Sequence, residues 1–257
     1  MAEALIFNTV ISIVVDPQGW RGTIGLITPS LFTTHAEHEF RYLLPEGVGL
    51  ICQRVLADPK VPFLDSLNTM HDGLSNAAYL LNTAGADMIT FNCTSSSFIK
   101  GMDLELHLVE VMEKASSLPA VCAAGAVADS IRFLGVRKVL VISPYPEEVN
   151  KQMESYLMKD QRIGVHSLYQ AALEDRKLNP WQQFKKVLEA YKASQSGADA
   201  IFFSCGATRL IEVVPLLEDE LGIPVLTTNL CNTWKSLQIL GIRKPISGKG
   251  KLLEAIR

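Results

Sequence analysis

Gly85-Ala86-Asp87-Met88-Ile89-Thr90-Phe91-Asn92-Cys93 has a counterpart in Gly197-Ala198-Asp199-Ala200-Ile201-Phe202-Phe203-Ser204-Cys205. Each copy opens on Gly-Ala-Asp, runs through an apolar stretch of strand type and stops at a cysteine eight residues after its glycine. Small or polar residues follow, and then a helical stretch. The likeness continues downstream. Leu118-Pro119-Ala120-Val121 precedes a helix ending in Phe133-Leu134-Gly135-Val136-Arg137-Lys138, and Ile223-Pro224-Val225-Leu226 precedes one ending in Ile239-Leu240-Gly241-Ile242-Arg243-Lys244. The offset, 105 residues (118 to 223) to 112 residues (85 to 197), is too long for a solenoid, whose repeats run to about 20–50 residues. It fits duplication of an α/β half-domain, which places two thiols at equivalent ends of two equivalent units.

Working outward from these copies, short continuous apolar runs alternate with helical patterns. Strands are expected at 23–28, 49–55, 88–92, 119–122, 138–143, 164–169, 200–204 and 224–227. Helices are expected at 70–84, 102–115, 126–134, 146–159, 180–195, 208–221 and 230–240. Asn179 followed by Pro180 reads as a helix cap with a first-turn proline. Such alternation predicts parallel sheet covered on both faces. Right-handed crossovers put the loops after every strand on one edge, where ligands of such folds bind. Cys93 and Cys205 both fall on that edge.

Composition narrows the function classes. Hydrophobic residues make up 48% of 257 and charged residues 20%, so the chain can bury a large core and disorder is not expected. A net charge of −3 gives no basic surplus for nucleic acid. The apolar run within residues 4–15 is too short to span a bilayer, which needs about 20 residues. It also lacks the basic start of a signal peptide and reads as an extra strand or docking arm. Five cysteines without a CxxC read as reduced thiols in a cytoplasmic protein. His35, His38, His71, His107 and His166 show no metal-ligand spacing.

Cys93-Thr94-Ser95 and Cys205-Gly206-Ala207 are expected to turn from strand into helix. Free N–H groups and the positive helix end at such turns favour a bound carboxylate and a thiolate. Gly206 would admit close backbone approach to a ligand. Cys52 and Cys122, inside or at the end of strands, read as small buried hydrophobes. Cys231 has no repeat partner. Ser143-Pro144-Tyr145 follows a strand, so the Tyr145 phenol either bonds a carboxylate or packs as a turn tyrosine.

These residues together resemble the aspartate/glutamate racemase superfamily, in the branch that holds maleate cis-trans isomerase and arylmalonate decarboxylase. The likeness covers nearly all of residues 23 to 244. Gly25-Leu26-Ile27-Thr28-Pro29-Ser30, Thr33-Thr34, Glu39-Phe40 and Leu44-Pro45-Glu46-Gly47-Val48 are similar to the isomerase opening. Phe91-Asn92-Cys93-Thr94-Ser95 resembles the first-cysteine loop, Ser143-Pro144-Tyr145 with Glu148, Val149 and Asn150 the tyrosine loop, and Ser204-Cys205-Gly206 the second-cysteine loop. Two positions depart from the isomerases. Phe32 replaces an asparagine before the paired threonines, and Ala171 or Ala172 stands where a second asparagine is expected.

The resemblance implies an α/β protein of two pseudo-twofold-related Rossmann-like lobes, each with a mainly parallel four-stranded sheet flanked by helices. The lobes are expected at 1–117 plus 229–257, carrying Cys93, and at 118–228, carrying Cys205. It implies no metal, PLP or nucleotide, and a homo-oligomer, dimer or higher. The expected catalytic residues are Cys93 and Cys205. The expected substrate-binding residues are Pro29, Ser30, Phe32, Thr94, Ser95, Tyr145, Asn150, Gly206 and Ala207.

Retention of both cysteines implies a cofactor-independent isomerase or racemase of a small carboxylate or dicarboxylate. In the decarboxylase only the second cysteine remains, so decarboxylation of a malonate-type substrate is the alternative. A carboxylate-binding protein without turnover is the other. Phe32 in place of an amide implies room for an apolar or aryl group beside one carboxylate.

Overall fold

A computed structural model describes residues 19–31, 35–172, 178–195 and 197–257. The expectations for Phe32 and for the apolar run within residues 4–15 lie outside the described residues. In chain order the elements are β1 (Gly22–Pro29), α1 (His35–Leu43), β2 (Val48–Val55), α2 (Phe63–Asp72), α3 (Leu74–Thr83), β3 (Met88–Phe91), α4 (Thr94–Phe98), α5 (Met102–Ser116), β4 (Ala120–Cys122) and α6 (Ala123–Phe133). They continue with β5 (Lys138–Ser143), α7 (Glu147–Ser155) with a π-turn (Tyr156–Asp160), β6 (Gly164–Gln170), α8 (Pro180–Ala193), β7 (Ala200–Phe203), a 3₁₀ turn (Ile211–Val213), α9 (Val214–Leu221), β8 (Val225–Thr227), α10 (Thr228–Ile239) and α11 (Lys251–Glu254). No helix among the described residues is long and apolar enough to cross a membrane.

The strands form two four-stranded sheets in the orders β2-β1-β3-β4 and β6-β5-β7-β8, with all pairs parallel. The order is the same in both, as duplication predicts. The two cysteine-terminated strands, β3 and β7, are interior in each sheet and buried along their whole length. Their register is also equivalent: Ile24 faces Met88 and Ile27 faces Phe91, while Val139 faces Ala200 and Ile142 faces Phe203.

The Gly-Ala-Asp half of the repeated motif serves this architecture. Asp87 Oδ2 accepts the Thr23 N–H at 2.7 Å, and Asp199 Oδ2 accepts the Arg137 and Lys138 N–H groups at 3.0 Å each. Each aspartate thus pins the start of the neighbouring strand and sets the register that brings each cysteine to its sheet edge. Those backbone hydrogen bonds hold the Asp199 carboxyl below its usual range.

Helices α6 and α10 pack on each other, and α10 also touches α1, β3, β4 and β8. One apolar core therefore runs from the first sheet into the second. A second core lies under the other face of the first sheet, with Leu67, Leu74, Leu81 and Met112. Helix α8 starts as the sequence predicts: Asn179 accepts the Gln182 N–H, Gln182 accepts the Asn179 N–H, both at 3.0 Å, and Pro180 opens the first turn.

Two expectations are corrected. The sequence starts the second lobe at residue 118, whereas β4 pairs with β3, so the first sheet extends to Cys122. The crossover through α5 returns the chain beside β3, and the first sheet has its fourth strand only with that segment. The helix expected at 208–221 begins as an α-helix only at Val214, after a loop and the 3₁₀ turn. The loop is diverted because the Leu210 and Ile211 N–H groups bond to the Glu39 carboxylate, far away in sequence.

Candidate active site

Cys93 ends β3 and is the N-cap residue of α4. Its carbonyl accepts the Ser97 N–H at 3.2 Å and the Ser97 hydroxyl at 2.9 Å, which locks the turn. Its sulfur lies 3.8 Å from Ser95 Oγ. Behind the loop, His71 Nε2 lies 2.8 Å from Ser96 Oγ, and burial lowers that imidazole's pKa.

Cys205 ends β7 in a different conformation. Its φ is +114°, in the region that favours glycine. The strain is held by bonds on both sides. The Cys205 N–H donates to Thr228 Oγ1 at 3.2 Å, its carbonyl accepts the Thr208 N–H at 3.2 Å, and the Ser204 N–H before it donates to Ile142 at 2.8 Å. A non-glycine residue held in such a region is a recurring mark of functional sites.

Both cysteines line one cavity of about 510 Å³ at the strand ends. Pro29, Leu31, Ala57, Leu67 and Met70 form apolar wall on the first-lobe side, and Phe63 adds an aromatic rim. Pro144, Pro146, Ala171 and Ala172 form apolar wall on the second-lobe side. The polar groups among the described lining residues are Ser66, Ser95, Tyr145, Gln170 and the two thiols. Those described lining residues include no Lys or Arg, so a carboxylate bound here would meet hydroxyl, amide and N–H donors rather than a cation.

The electrostatics differ from the sequence reading. The first turn of α4 is expected to favour a Cys93 thiolate. Burial instead pushes the Cys93 thiol up to about 12, a rise that hydrogen bonds from Ser96 and Ser95 moderate and the nearby Cys205 sulfur adds to. Helix α4 is only five residues long, and its small dipole cannot offset the lost hydration. Burial thus favours the protonated form of Cys93. The Tyr145 phenol is likewise held protonated by burial, well above its usual range, and is a hydrogen-bond donor.

Of the residues singled out from sequence, Cys93, Cys205, Pro29, Ser95 and Tyr145 come together on the cavity wall. The others among the described residues are not part of its lining. Ser30 Oγ accepts the Ala57 N–H at 3.0 Å and closes the first-lobe loops. Asn150 Nδ2 donates to the Tyr145 carbonyl at 2.9 Å while its Oδ1 accepts from Ser143 Oγ at 2.7 Å, so it fixes the tyrosine loop from below. Phe98 and Phe63 flank the Tyr145 ring at 6.3 and 6.4 Å. Thr94 Oγ1 lies 2.8 Å from Thr228 Oγ1, the same hydroxyl that holds Cys205. Ala207 packs into the core.

At Gly206 a Cβ would lie 2.8 Å from Asn92 Nδ2 and 3.0 Å from Asn229 Oδ1, so the glycine makes room for an amide pair.

That pair belongs to a buried polar network that the sequence reading missed, formed by Glu39, Asn92, Asn229 and Asn232. A signal was present. Glu39 occupies the apolar stripe of α1 with Ala36, Phe40 and Leu43, and a carboxylate on such a stripe needs a buried partner.

Comparison with known proteins places the chain in a family. The arylmalonate decarboxylase family matches residues 63–253. An arylmalonate decarboxylase of Bordetella bronchiseptica is 25% identical over 228 residues, 82% of this chain and 95% of that protein. A maleate isomerase of Geobacillus stearothermophilus is 25% identical over 243 residues, 90% of this chain and 96% of that protein. Among solved structures, a mutant Nocardia farcinica maleate cis-trans isomerase with a covalently bound succinylcysteine intermediate superposes with a TM-score of 0.79 at 20% identity, covering 91% of this chain and 98% of that one. By its sequence match along most of its length, this chain is a member of the arylmalonate decarboxylase family.

Proposed function

We propose that the protein is a two-cysteine isomerase or racemase that acts, without a cofactor, on a small carboxylate bearing an apolar substituent. The observation that carries this reading is the convergence of Cys93 and Cys205, from two separate sheets, on one cavity. Two acid–base groups on opposite sides of a bound carbon are the minimal device for moving a proton from one face to the other.

In the proton-transfer version, the Cys205 sulfur as thiolate removes the proton beside the carboxylate. The electron pair moves into the carboxyl group as an enediolate, and the Cys93 thiol delivers a proton to the opposite face. One proton leaves and one arrives, so the substrate changes only in configuration. In the cis-trans version, a cysteine sulfur forms a C–S bond to one alkene carbon and the electron pair moves toward the carboxylate. The former double bond rotates, and the C–S bond breaks. The succinylcysteine intermediate of the Nocardia farcinica relative supports the second version. The protonated Cys93 favours the first.

Donors from Ser95 and Tyr145 are suited to hold the carboxylate as charge builds on it, and a single such donor is worth about 3 kcal/mol in other enzymes. The apolar walls support a substituent larger than a second carboxylate. They also favour a second reading, decarboxylation of a malonate-type acid, in which Cys205 protonates the carbanion left as CO2 departs.

Deuterium exchange in D2O separates the two. The proton-transfer version expects label at the carbon beside the carboxylate without CO2 release, the cis-trans version expects conversion of a cis unsaturated acid to its trans form without CO2 release, and both are lost in Cys93→Ala. CO2 release that survives Cys93→Ala and fails only in Cys205→Ala establishes the second. Ligand binding with none of these outcomes overturns both.

A further inference from the structure

We propose that Glu39 is a positioning residue for the cysteine pair: acting through Asn229 and Asn92, its carboxylate fixes the polarity of one chain of buried amides and thereby the placement of the Cys93 and Cys205 loops. The inference rests on the proposed function for what that placement achieves, and its test includes readouts that need no turnover.

Glu39 is 0% exposed, on the face of α1 that meets the second lobe. Its Oε1 accepts the Leu210 and Ile211 N–H groups at 3.0 and 3.2 Å, which sets the course of the chain leaving Cys205. Its Oε2 accepts Asn229 Nδ2 at 2.6 Å, and the same Nδ2 donates to the Gly206 carbonyl at 3.1 Å. Asn229 Oδ1 then accepts Asn92 Nδ2 at 2.8 Å, and Asn92 Oδ1 accepts Asn232 Nδ2 at 2.7 Å. Asn92 is bonded directly to Cys93 in the chain, and Gly206 to Cys205.

A side-chain amide has nearly the same shape in either orientation, so packing alone does not decide which end faces which neighbour. An ionised carboxylate only accepts hydrogen bonds. With a carboxylate at its head, every amide in the series must present nitrogen toward Glu39 and oxygen away from it. A proton donor at the head reverses Asn229, and two N–H groups then face each other at Asn92. In a buried network one such conflict propagates to every member.

The charge on Glu39 is itself poised. Burial pushes its carboxyl up to about 7, moderated by the bonds from Asn229, Leu210 and Ile211. Glu212, on the 3₁₀ turn, raises it further. Glu212 is paired with Arg209 and His38 at the surface. From α1, Glu37 turns to Arg54. From α10, Lys235 pairs with Asp129, and Cys231 bonds to Ser130. Protonation of Glu39 therefore introduces a donor at the head of the series close to neutral pH.

Glu39→Gln keeps the shape and supplies that donor permanently. The expected result is a folded protein whose kcat falls about 100-fold, the scale of a small misplacement of reacting groups, with KM held within about threefold. The step in kcat expected near pH 7 for the parent protein should vanish in this variant. In the parent protein, the side-chain amide NMR signals of Asn92 and Asn229 should move together near pH 7, and Cys205 alkylation by iodoacetamide should change rate over the same range.

A Glu39→Gln protein with kcat within about twofold of the parent overturns the proposal. So do Asn92 and Asn229 signals that stay constant from about pH 5.5 to 8.5. Should Glu39→Gln fail to fold, the NMR titration of the parent protein decides alone. Should no substrate turn over, the proposed function fails, while the titration and the alkylation rates still decide the role of Glu39.

Discussion

Replacing Cys205 by alanine and by glycine measures the strain stored at the second cysteine. At φ +114° a residue with a Cβ is held where glycine alone is comfortable. Strain of this kind costs about 1–3 kcal/mol. Cys205→Ala keeps the Cβ and the strain, whereas Cys205→Gly releases it. Glycine also gains freedom in the unfolded chain, which costs about 0.4–1 kcal/mol. The balance leaves the glycine variant more stable than the alanine variant by about 0.5–2 kcal/mol. At an ordinary strand end, with negative φ, the order is the reverse. Both variants lose the thiol, so the comparison cancels the loss of sulfur packing. Urea unfolding at one pH reads the difference. With a slope of about 3 kcal/mol per molar, the glycine midpoint should lie about 0.2–0.7 M higher. A glycine variant no more stable than the alanine variant refutes the claim that the loop holds Cys205 under strain.

Three further predictions concern the groups around the thiols. The raised Glu39 carboxyl means that the folded chain holds this proton more tightly than the unfolded chain, so the stability it contributes is complete below about pH 4.5 and is lost as pH rises through 7. Relative to Glu39→Gln, the parent should lose about 3 kcal/mol of urea stability between pH 4.5 and 8, and parallel profiles contradict this. Tyr145→Phe keeps the ring between Phe98 and Phe63 but removes the hydroxyl; kcat should fall about 100-fold with melting temperature little changed, and an unchanged kcat removes Tyr145 from the reaction. Gly206→Ala drives a Cβ against the Asn92–Asn229 amide pair and should destabilise by about 1–3 kcal/mol, which calorimetry reads.

The two sheets were legible because β3 and β7 are buried on every residue and carry the same local pattern, including the aspartates that pin their neighbours. The cysteines were legible for the same reason: strand-end position is a local property, and parallel topology carries it to one edge. Other features depend on contacts that no local pattern encodes. Asn92 and Asn229 are 137 residues apart and look like ordinary loop and cap residues until the lobes meet. The chain after Cys205 fails to start a helix because a glutamate 171 residues earlier captures the Leu210 N–H. The Cys93 thiol follows burial rather than the helix end, and that burial comes from packing against residues distant in sequence, Val55, Leu67 and Met112 among them. The fourth strand of the first sheet falls past the expected boundary because the repeat marks where the sequence recurs rather than where a sheet is complete.

A crystal structure with a small 2-substituted carboxylate bound tests the central claim most directly. The account predicts the ligand carbon beside the carboxylate between the two sulfurs, with Cys93 and Cys205 on opposite faces and each in van der Waals contact, about 3.5–4 Å away. A ligand touched by one sulfur alone, with packed protein between it and the other, contradicts it.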